Sequence, residues 1–285
     1  MLIEPTTVPG YTLLRKIADG GSGEIYQAEE QLTHSPVVVK ILHPRHHGNK
    51  AEARRIVREG KLGLRLGCQP HLVETYKSGQ VNGIPYLVLE QAPGVPLRRM
   101  LQDRELLDES GLMALAVALT RVLQHIHGKG VIHKDVKPDN VMIDGLRSIK
   151  LLDLGYAETR WSIWWRSFFD RPLEGSPAYL APELIRNRSA SPATDIYALG
   201  CTLFEACTGF VPYAGLSDQE VLEKQSSPRL LPPSVVDHSQ GISYASEKII
   251  LRALEKDPAA RYGSADELWL ELSRHPVARH GAQQA

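Results

Sequence analysis

The 285-residue sequence has few cysteines, no excess of either charge and no long apolar run. Its three cysteines, Cys68, Cys201 and Cys207, are odd in number and form no Cys-x-x-Cys pair, which excludes a disulfide framework and a thiolate zinc site. Basic and acidic residues both total 33, so neither nucleic acid nor an anionic membrane is favoured as a partner. The longest apolar run, Leu112 to Leu119, is far shorter than the ~20 residues of a membrane span. The composition predicts a soluble protein in a reducing cytoplasm.

The length exceeds the usual ~100 to 200 residues of one domain, so we expect two lobes. From Tyr11 to Leu42, short runs rich in valine and isoleucine alternate with glycine and polar residues, which predicts a β meander. Residues 50–66 follow a helical period. The residues that share one face of this helix are Glu52, Ile56, Glu59, Leu62 and Leu66.

The segment IADGGSGEIYQA places Gly20, Gly21 and Gly23 between the first two runs. Such glycines let a backbone approach a ligand closely and direct N–H groups at phosphate oxygens. Taken alone, the segment is weak evidence, and a flexible turn is the better interpretation. Further along, the run VVVK ends in Lys40, which would need an anionic partner if it faces inward. Glu59 beside Leu62 is the better placed carboxylate on the helix, and Glu52 is the reserve.

The stretch HKDVKPDN, residues 133–140, is by itself an ordinary polar turn. It lies between the short apolar runs VI and VMI, and the next run, IKLLDLG, predicts a strand that ends in Asp153. Two short strands would thus bring Asp135, Asn140 and Asp153 to one end of a hairpin. This convergence favours a functional site over a solvent-exposed polar turn.

Together, the Gly-rich loop, strand lysine, helix glutamate, H-x-D-x-K-x-x-N, D-x-G and A-P-E resemble the protein kinase family from about Tyr11 to Tyr262. Lys137, two places after Asp135, resembles the serine/threonine-specific branch, and the lack of large inserts resembles compact, eukaryotic-like kinase domains of bacteria. The resemblance implies an α+β, bilobal protein-kinase fold, with a small β-rich N-lobe carrying one regulatory helix and a larger, mostly helical C-lobe. We expect the N-lobe in residues 1–90 and the C-lobe in residues 91–285.

The resemblance implies ATP- and Mg²⁺-dependent transfer of a γ-phosphoryl group to a serine or threonine hydroxyl of a protein substrate. Asp135 would accept the proton of that hydroxyl, Lys137 would touch the γ-phosphate, and Asn140 and Asp153 would bind Mg²⁺. We expect these groups to meet Lys40 around one metal-bound triphosphate in the crevice between two lobes.

Lys40 would pair with the α- and β-phosphates while Glu59 keeps it aimed. Ala18 stands where the family has its first loop glycine, a departure expected to modulate nucleotide affinity without abolishing it. The residues that the resemblance assigns to nucleotide binding are Ile17, Gly20, Gly21, Ser22, Gly23, Ile25, Val38, Lys40, Leu89, Glu90, Ala92, Asn140 and Asp153.

Other motifs resemble the scaffold of the family. In GSPAYLAPE, Ser176 takes the place of a hydroxyl that steadies Asp135 and Lys137. Glu183 and Arg261 resemble a buried ion pair, and Asp195 resembles the helix aspartate that binds backbone N–H groups of the catalytic loop.

Two alternatives stay open at this stage. A kinase-fold pseudokinase would bind nucleotide or partners without transferring phosphate, although the four polar residues Lys40, Asp135, Asn140 and Asp153 argue against it. A small-molecule phosphotransferase would share H-x-D-x-x-x-x-N but would not be expected to carry GSPAYLAPE.

Histidines can bind metal ions or act as general bases, but we assign neither role to the histidines of this sequence. His133 is expected to pack beneath the catalytic loop, and His125 and His127 are expected to be structural as well. A last group is predicted to lie in a solvated loop without a carboxylate partner. Its members are His43, His46 and His47.

Lys134 replaces the arginine that usually precedes the catalytic aspartate, and a lysine offers no bidentate fork to a phosphate. Our hypothesis is that Asp170 or Glu174 pairs with Lys134 and makes the kinase independent of loop phosphorylation. Activity that requires phosphate on Thr159, Ser162 or Ser167 would contradict this hypothesis.

The segment RWSIWWRSFF places Trp161, Trp164, Trp165 and Phe168 at helical spacing. So much apolar area favours packing on the protein's own lobes, in an arrangement that displaces the Glu59 helix. Self-association, or docking of a partner or membrane, through the tryptophans is the alternative.

Overall fold

The computed structural model describes residues 8–145, 148–159, 163, 175–186 and 189–277. The chain divides into two compact units. The first comprises Met1–Ala92 with Asp153–Gly155, and the second comprises Pro93–Leu152 with Tyr156–Ala285. The short second segment of the first unit is the D-x-G tripeptide.

One antiparallel sheet forms most of the first unit, with its strands in the order β1-β2-β3-β5-β4. The strands are β1 (Tyr11–Asp19), β2 (Gly23–Glu30), β3 (Pro36–Leu42), β4 (Thr75–Val81) and β5 (Ile84–Glu90). Side chains alternate along β3, so Val37, Val39 and Ile41 pack into a core on one face while Val38 and Lys40 point to the other. The predicted meander is confirmed.

The long helix of this unit is α1 (Lys50–Leu66), which begins where the Asn49 side chain accepts hydrogen bonds from the N–H groups of residues 51 and 52. Its interior glycines have a packing reason. A Cβ atom on Gly60 would lie 2.4 Å from Ser78 Oγ, and one on Gly63 would lie 2.0 Å from Thr75 Oγ1. The glycines therefore let the helix lie directly on β4, and this contact offsets their low helix propensity.

The second unit is mostly helical. Its helices are α2 (Leu97–Gln102), α3 (Glu109–Gly128), α4 (Pro182–Ile185), α5 (Pro192–Thr208), α6 (Asp218–Ser226), α7 (Tyr244–Ala253) and α8 (Ala265–Arg274). From residue 193 onward α5 is buried along its whole length, so it is the central helix of this unit. None of the helices in the described residues combines the length and the apolar character that crossing a bilayer requires.

Five short strands form two small sheets in the described part of the second unit. The strands are β6 (Val95–Pro96), β7 (Val131–Ile132), β8 (Val141–Asp144), β9 (Ser148–Leu151) and β10 (Glu158–Thr159). β8 pairs with β6 and β9, whereas β7 pairs with β10. The predicted strand before Asp153 thus ends two residues early, at Leu151. A small unit with one sheet and one long helix, and a larger helical unit, confirm the expected α+β fold.

Candidate active site

The glycine-rich segment forms the turn between β1 and β2. Gly20 donates its N–H to the carbonyl of Gly23 at 2.9 Å, which closes the turn. A Cβ atom on Gly23 would lie 2.7 Å from the carbonyl oxygen of Ile41, so only glycine allows this approach. Ser22 is buried, whereas Gly21 faces open space. The turn is therefore packed against β3 at Gly23, whereas a Cβ atom on Gly21 would meet no other atom within 4 Å.

The histidines after β3 bind this turn, so the prediction of a solvated loop without a carboxylate partner is wrong. His43 Nε2 lies 3.0 Å from a carboxylate oxygen of Asp19, and His46 and Arg45 each contact the carbonyl of Gly21 at 2.9 Å. The pairing joins residues from two separate segments, which is why local composition did not reveal it.

Asp19, Glu24 and His43 bring three potential metal ligands within 4.8 Å of one another. The ammonium of Lys16 already lies 3.0 Å from Asp19 and 2.6 Å from Glu24. Because the Lys16 ammonium already contacts both carboxylates, this group is an ion-pair cluster and we assign it no metal.

Lys40 lies at the centre of a buried charge cluster in the first unit. Its ammonium is 2.9 Å from both carboxylate oxygens of Glu59 and 3.3 Å from Asp153. Burial opposes the charged form of Lys40, but the two carboxylates outweigh it and raise its pKa. Burial raises the pKa of Glu59 to about 7, and the charge of Asp153 adds to this effect. Of the two predicted partners, Glu59 makes the contact; Glu52 lies beside Arg55 instead.

Asp153 has a left-handed backbone, with φ of 55°, and accepts the N–H of Gly155 at 2.8 Å. Although burial would raise its pKa, the charge of Lys40 and this N–H hold the pKa below the usual value. Arg55 and Arg58 of α1 both donate to the carbonyl of Gly155. The helix therefore binds the D-x-G segment as well as the lysine.

The remaining predicted nucleotide residues of the first unit lie mainly on one sheet face. Ile25 is the cross-strand partner of Lys40, and Val38 is the partner of Leu89, so all four share the face opposite the valine core. Ile17 is exposed on β1 beside an irregularity in its pairing with β2. Glu90 ends β5, and Ala92 follows it.

The second unit assembles the catalytic-loop residues. Lys137 Nζ lies 3.0 Å from Asp135 Oδ1 and 2.8 Å from Ser176 Oγ. Asn140 donates through its amide nitrogen to the carbonyl and the carboxylate of Asp135, at 2.9 and 2.8 Å. Asp135 is therefore a buried carboxylate held by a cation and an amide, while Lys137 links it to the serine of GSPAYLAPE.

Asp153 of the first unit and Asn140 of the second each carry an oxygen atom of the kind that binds a magnesium ion. The lowered pKa of Asp153 favours its charged carboxylate form. Both side-chain hydrogen bonds that Asn140 makes within the described chain use its nitrogen, so its amide oxygen remains as a ligand atom. Carboxylate and amide oxygens are the ligands that hard cations prefer.

Asp195 of α5 supports the loop from below. Its carboxylate accepts the N–H groups of His133 and Lys134 at 2.8 and 2.7 Å, and it contacts His127 Nε2 at 2.8 Å. His133 is buried and accepts the N–H of Asp135 at 3.3 Å. The loop thus rests on a charged side chain inside the central helix, and His133 lies beneath it as predicted.

A second buried carboxylate joins distant parts of this unit. Arg261 and Glu183 form a bidentate pair with both distances at 2.9 Å. Both side chains are almost fully buried. This pair connects the A-P-E segment to the DPAARY segment.

Two groups of residues were missed by sequence reasoning. Lys134 lies 3.5 Å from Glu158 of β10, whereas Asp170 and Glu174, the predicted partners, lie outside the described residues. Arg98 of α2 bonds to Asp139, Tyr179 and Glu205. Neither Glu158 nor Arg98 belongs to a motif, and their contacts cross long sequence separations, so no local signal marks them.

The tryptophan-rich segment is only sparsely described. Ile163 is buried against Ile132 and Ala190. Trp161, Trp164, Trp165, Phe168, Ser162 and Ser167 lie outside the described residues.

A comparison with protein-family models matches the protein kinase domain to residues 11–277. The chain belongs to the protein kinase domain family. This kinase domain is 31% identical over 272 residues to the serine/threonine-protein kinase PrkC of Bacillus subtilis, a match that covers 95% of the chain and 41% of PrkC. It is 30% identical over 268 residues to the serine/threonine-protein kinase PknB of Mycobacterium tuberculosis, covering 93% of the chain and 42% of PknB. The chain spans about two fifths of the length of these relatives.

Proposed function

We propose that this chain is an ATP- and magnesium-dependent protein kinase that transfers the γ-phosphoryl group to serine or threonine hydroxyls of protein substrates. The observation that carries the proposal is the contact of one ammonium, Lys137 Nζ, with both Asp135 and Ser176. This contact ties a buried carboxylate to the segment that resembles a peptide-substrate platform. The names of the relatives, all serine/threonine-protein kinases, support it.

In the second unit, Asp135, Lys137 and Ser176 each have a chemical role in the proposed transfer. Asp135 accepts the proton of the substrate hydroxyl, since it is an anion held in place by two neighbours. Lys137 carries a positive charge to the γ-phosphoryl oxygens, and Ser176 keeps that charge beside Asp135. Phosphoryl transfer passes through a loose transition state, so positioning and charge neutralisation are the main demands on these side chains.

In the first unit, Lys40 binds the α- and β-phosphates while Glu59 holds its ammonium in one direction. Asp153 would hold Mg²⁺, and we propose the same role for Asn140 of the second unit; the ion supplies charge neutralisation at the phosphate oxygens when bound. Ile17, Ile25, Val38 and Leu89 offer apolar area to an adenine ring. The backbone of Glu90 and Ala92, and the N–H groups of Gly21 and Ser22, supply polar contacts to the nucleotide.

The test is transfer of ³²P from ATP in the presence of Mg²⁺ to a generic protein substrate, with phosphoamino acid analysis of the product. We expect wild type to label serine or threonine and Asp135→Ala to lose transfer while keeping its melting temperature. Wild-type protein that is stabilised by ATP and Mg²⁺ without transferring phosphate would support the pseudokinase alternative. A cytoplasmic location, and docking through Trp161, Trp164 and Trp165, stay predictions.

A further inference from the structure

One side of α1 carries five cations in a single stripe. Lys50, Arg54, Arg58, Lys61 and Arg65 follow one another at spacings of three or four residues, which places them on one face of the helix. They line an open groove of about 620 Å³ that β4 closes on one side. We call this the basic groove. Among the described residues that line it, none is acidic.

The floor of the basic groove is apolar. Ala53, Val57 and Leu62 lie between the cations, and Gln80 of β4 lines the groove with them. A ligand that fits this surface must carry negative charge along its length and at least one apolar group. The cations and the floor therefore select for both properties at once.

The stripe lowers the intrinsic stability of the helix. Like charges three and four residues apart repel one another, and this helix already contains Gly60 and Gly63. Lys50, Arg54 and Lys61 make no ion pair or hydrogen bond with any residue in the described part of the chain. Repulsion that no internal contact offsets is expected where a surface binds an anionic ligand.

We propose that the basic groove binds an acidic peptide segment of a partner protein, with its anionic groups on the cations and an apolar side chain on the floor. The stripe from Lys50 to Arg65 is about 23 Å long at 1.5 Å per residue. An extended peptide of about seven residues spans this length. A concave site with an apolar floor favours a peptide over a flat membrane, and the zero net charge of the chain supplies no general attraction to nucleic acid.

Arg58 connects the basic groove to the candidate active site within the first unit. Its Nη2 donates to the carbonyl of Gly155 at 3.0 Å, and the N–H of Gly155 donates to Asp153. Its Nε is buried with no acceptor among the described residues, so the guanidinium has unused bonding capacity. The next residue, Glu59, binds Lys40. A peptide that immobilises Arg58 would therefore restrain Asp153, through Gly155, and Lys40, through Glu59. We expect peptide binding to change catalysis by this route, an expectation that rests on the proposed function.

The binding test uses the full chain and a fluorescein-labelled probe peptide of the sequence Glu-Glu-Phe-Glu-Glu-Phe-Glu, measured by fluorescence anisotropy. We expect the affinity to fall as salt rises, and a probe with glutamine for every glutamate to bind at least about tenfold more weakly. A third probe carries phosphoserine for the central glutamates. Tighter binding of that probe identifies phosphate as the preferred anion, and tighter binding of the glutamate probe identifies carboxylate.

The decisive variant is R54E/K61E, because both side chains are exposed in the basic groove. We expect it to weaken probe binding at least about tenfold. The matched control is R229E/K248E, which changes two exposed cations of the second unit by the same total charge and should bind within about twofold of wild type. Equal binding by R54E/K61E and wild type, or equal loss in the control, overturns the proposal. R54Q/K61Q repeats the test if the reversal variant does not fold.

Two further measurements separate the remaining outcomes. Tighter binding of duplex DNA or phosphatidylserine vesicles than of either peptide, if lost in R54E/K61E, overturns the peptide assignment. For the coupling, saturating probe should change KM for ATP or kcat in wild type and leave both unchanged in R58Q. A wild type that binds probe without any change in these constants overturns the coupling, whereas a wild type that never transfers phosphate overturns the proposed function and leaves the binding result intact.

Discussion

The ammonium nitrogen of Lys40 lies 2.9 Å from each carboxylate oxygen of Glu59, and both side chains are buried. Asp153 places a second carboxylate 3.3 Å from the same ammonium. One cation therefore contacts two carboxylates, of which that of Glu59 is buried. Burial is the main reason why the pKa of Glu59 rises to about 7, with the charge of Asp153 adding to it. The pair therefore fixes the direction of the Lys40 ammonium at a cost in stability.

Glu59→Gln is expected to lower phosphoryl transfer by at least about tenfold, because an amide holds the ammonium less firmly than a carboxylate does. Its effect on stability should depend on pH. The folded-state pKa of Glu59, about 7, is above the ordinary value of 4.5, so the folded protein binds more protons than the unfolded chain between these pH values. Wild type therefore loses stability relative to the variant as pH rises through this window.

Thermal melts of wild type and Glu59→Gln between pH 5 and 8 measure this difference directly, since all other groups titrate in both proteins. The melting temperature of the variant should rise relative to wild type with increasing pH. Glu52→Gln, on the same helix beside Arg55, controls for the loss of one carboxylate. A melting-temperature difference that is independent of pH would contradict the raised pKa.

Ser176→Ala should lower kcat by about threefold to tenfold, because Lys137 loses one of its two acceptors but keeps Asp135. Ser176→Thr retains a hydroxyl and should stay within about twofold of wild type. Lys137→Met should lower kcat by far more. Since Ser176 is expected to act through Lys137, the double variant should be no worse than Lys137→Met alone. Fully multiplicative losses in kcat would show that the serine acts independently.

Asp195→Asn is expected to destabilise the protein by about 2–4 kcal/mol, because the carboxylate accepts two backbone N–H groups and contacts His127. An asparagine would turn an NH₂ group toward at least one of these donors. Burial opposes ionisation of Asp195, but its bonds to His127 and His133 hold its pKa below 3.8. This stabilisation is complete above pH 3.8 and is lost as pH falls below it.

Chemical denaturation at neutral pH and at about pH 3 tests the prediction for Asp195, and the gap between wild type and variant should narrow at the lower pH. Asp139→Asn is the matched control, since Asp139 lies in the same loop but is half exposed and bonds only to Arg98 among the described residues. It should cost no more than about 1 kcal/mol. If both variants lost the same free energy of unfolding, the loss would come from the loop as a whole and not from the Asp195 carboxylate.

Gly63→Ala should have two opposing effects on stability, a gain in helix propensity and a cost from overpacking against β4. Alanine favours a helix by about 1 kcal/mol over glycine. The new Cβ atom, however, would lie 2.0 Å from Thr75 Oγ1 on a packed strand. Overpacking of this kind costs about 1–3 kcal/mol, so we expect net destabilisation. Thr75 Cβ would also lie 2.7 Å from the new Cβ atom, so alanine at position 75 leaves a clash and only glycine removes both contacts. Gly63→Ala should therefore cost less stability in a Thr75→Gly background than in wild type. An equal cost in both backgrounds would refute this origin of the glycine.

Sequence reasoning located the candidate site because its chemistry requires particular residue types at short, regular spacings. Asp135, Lys137 and Asn140 fall within one turn of the chain, and Ser176 was recognised from the motif around it. The face of α1 was equally predictable, since a helical period places Ile56, Glu59 and Leu62 together. Local sequence patterns could not reveal that His43 binds Asp19, because that pair joins the end of β1 to the segment after β3.

The sequence by itself determined the approximate order of the elements, since periodicity is a property of short segments. Its motifs, through their resemblance to the protein kinase family, also predicted the α+β class and the candidate residues for phosphoryl transfer. Tertiary structure alone decided that Glu59 and not Glu52 reaches Lys40, and that Glu158 lies beside Lys134. It also supplied the reason for Gly60 and Gly63, which is the close approach of α1 to β4. These facts depend on contacts between distant segments, and such contacts are set by packing that no local pattern records.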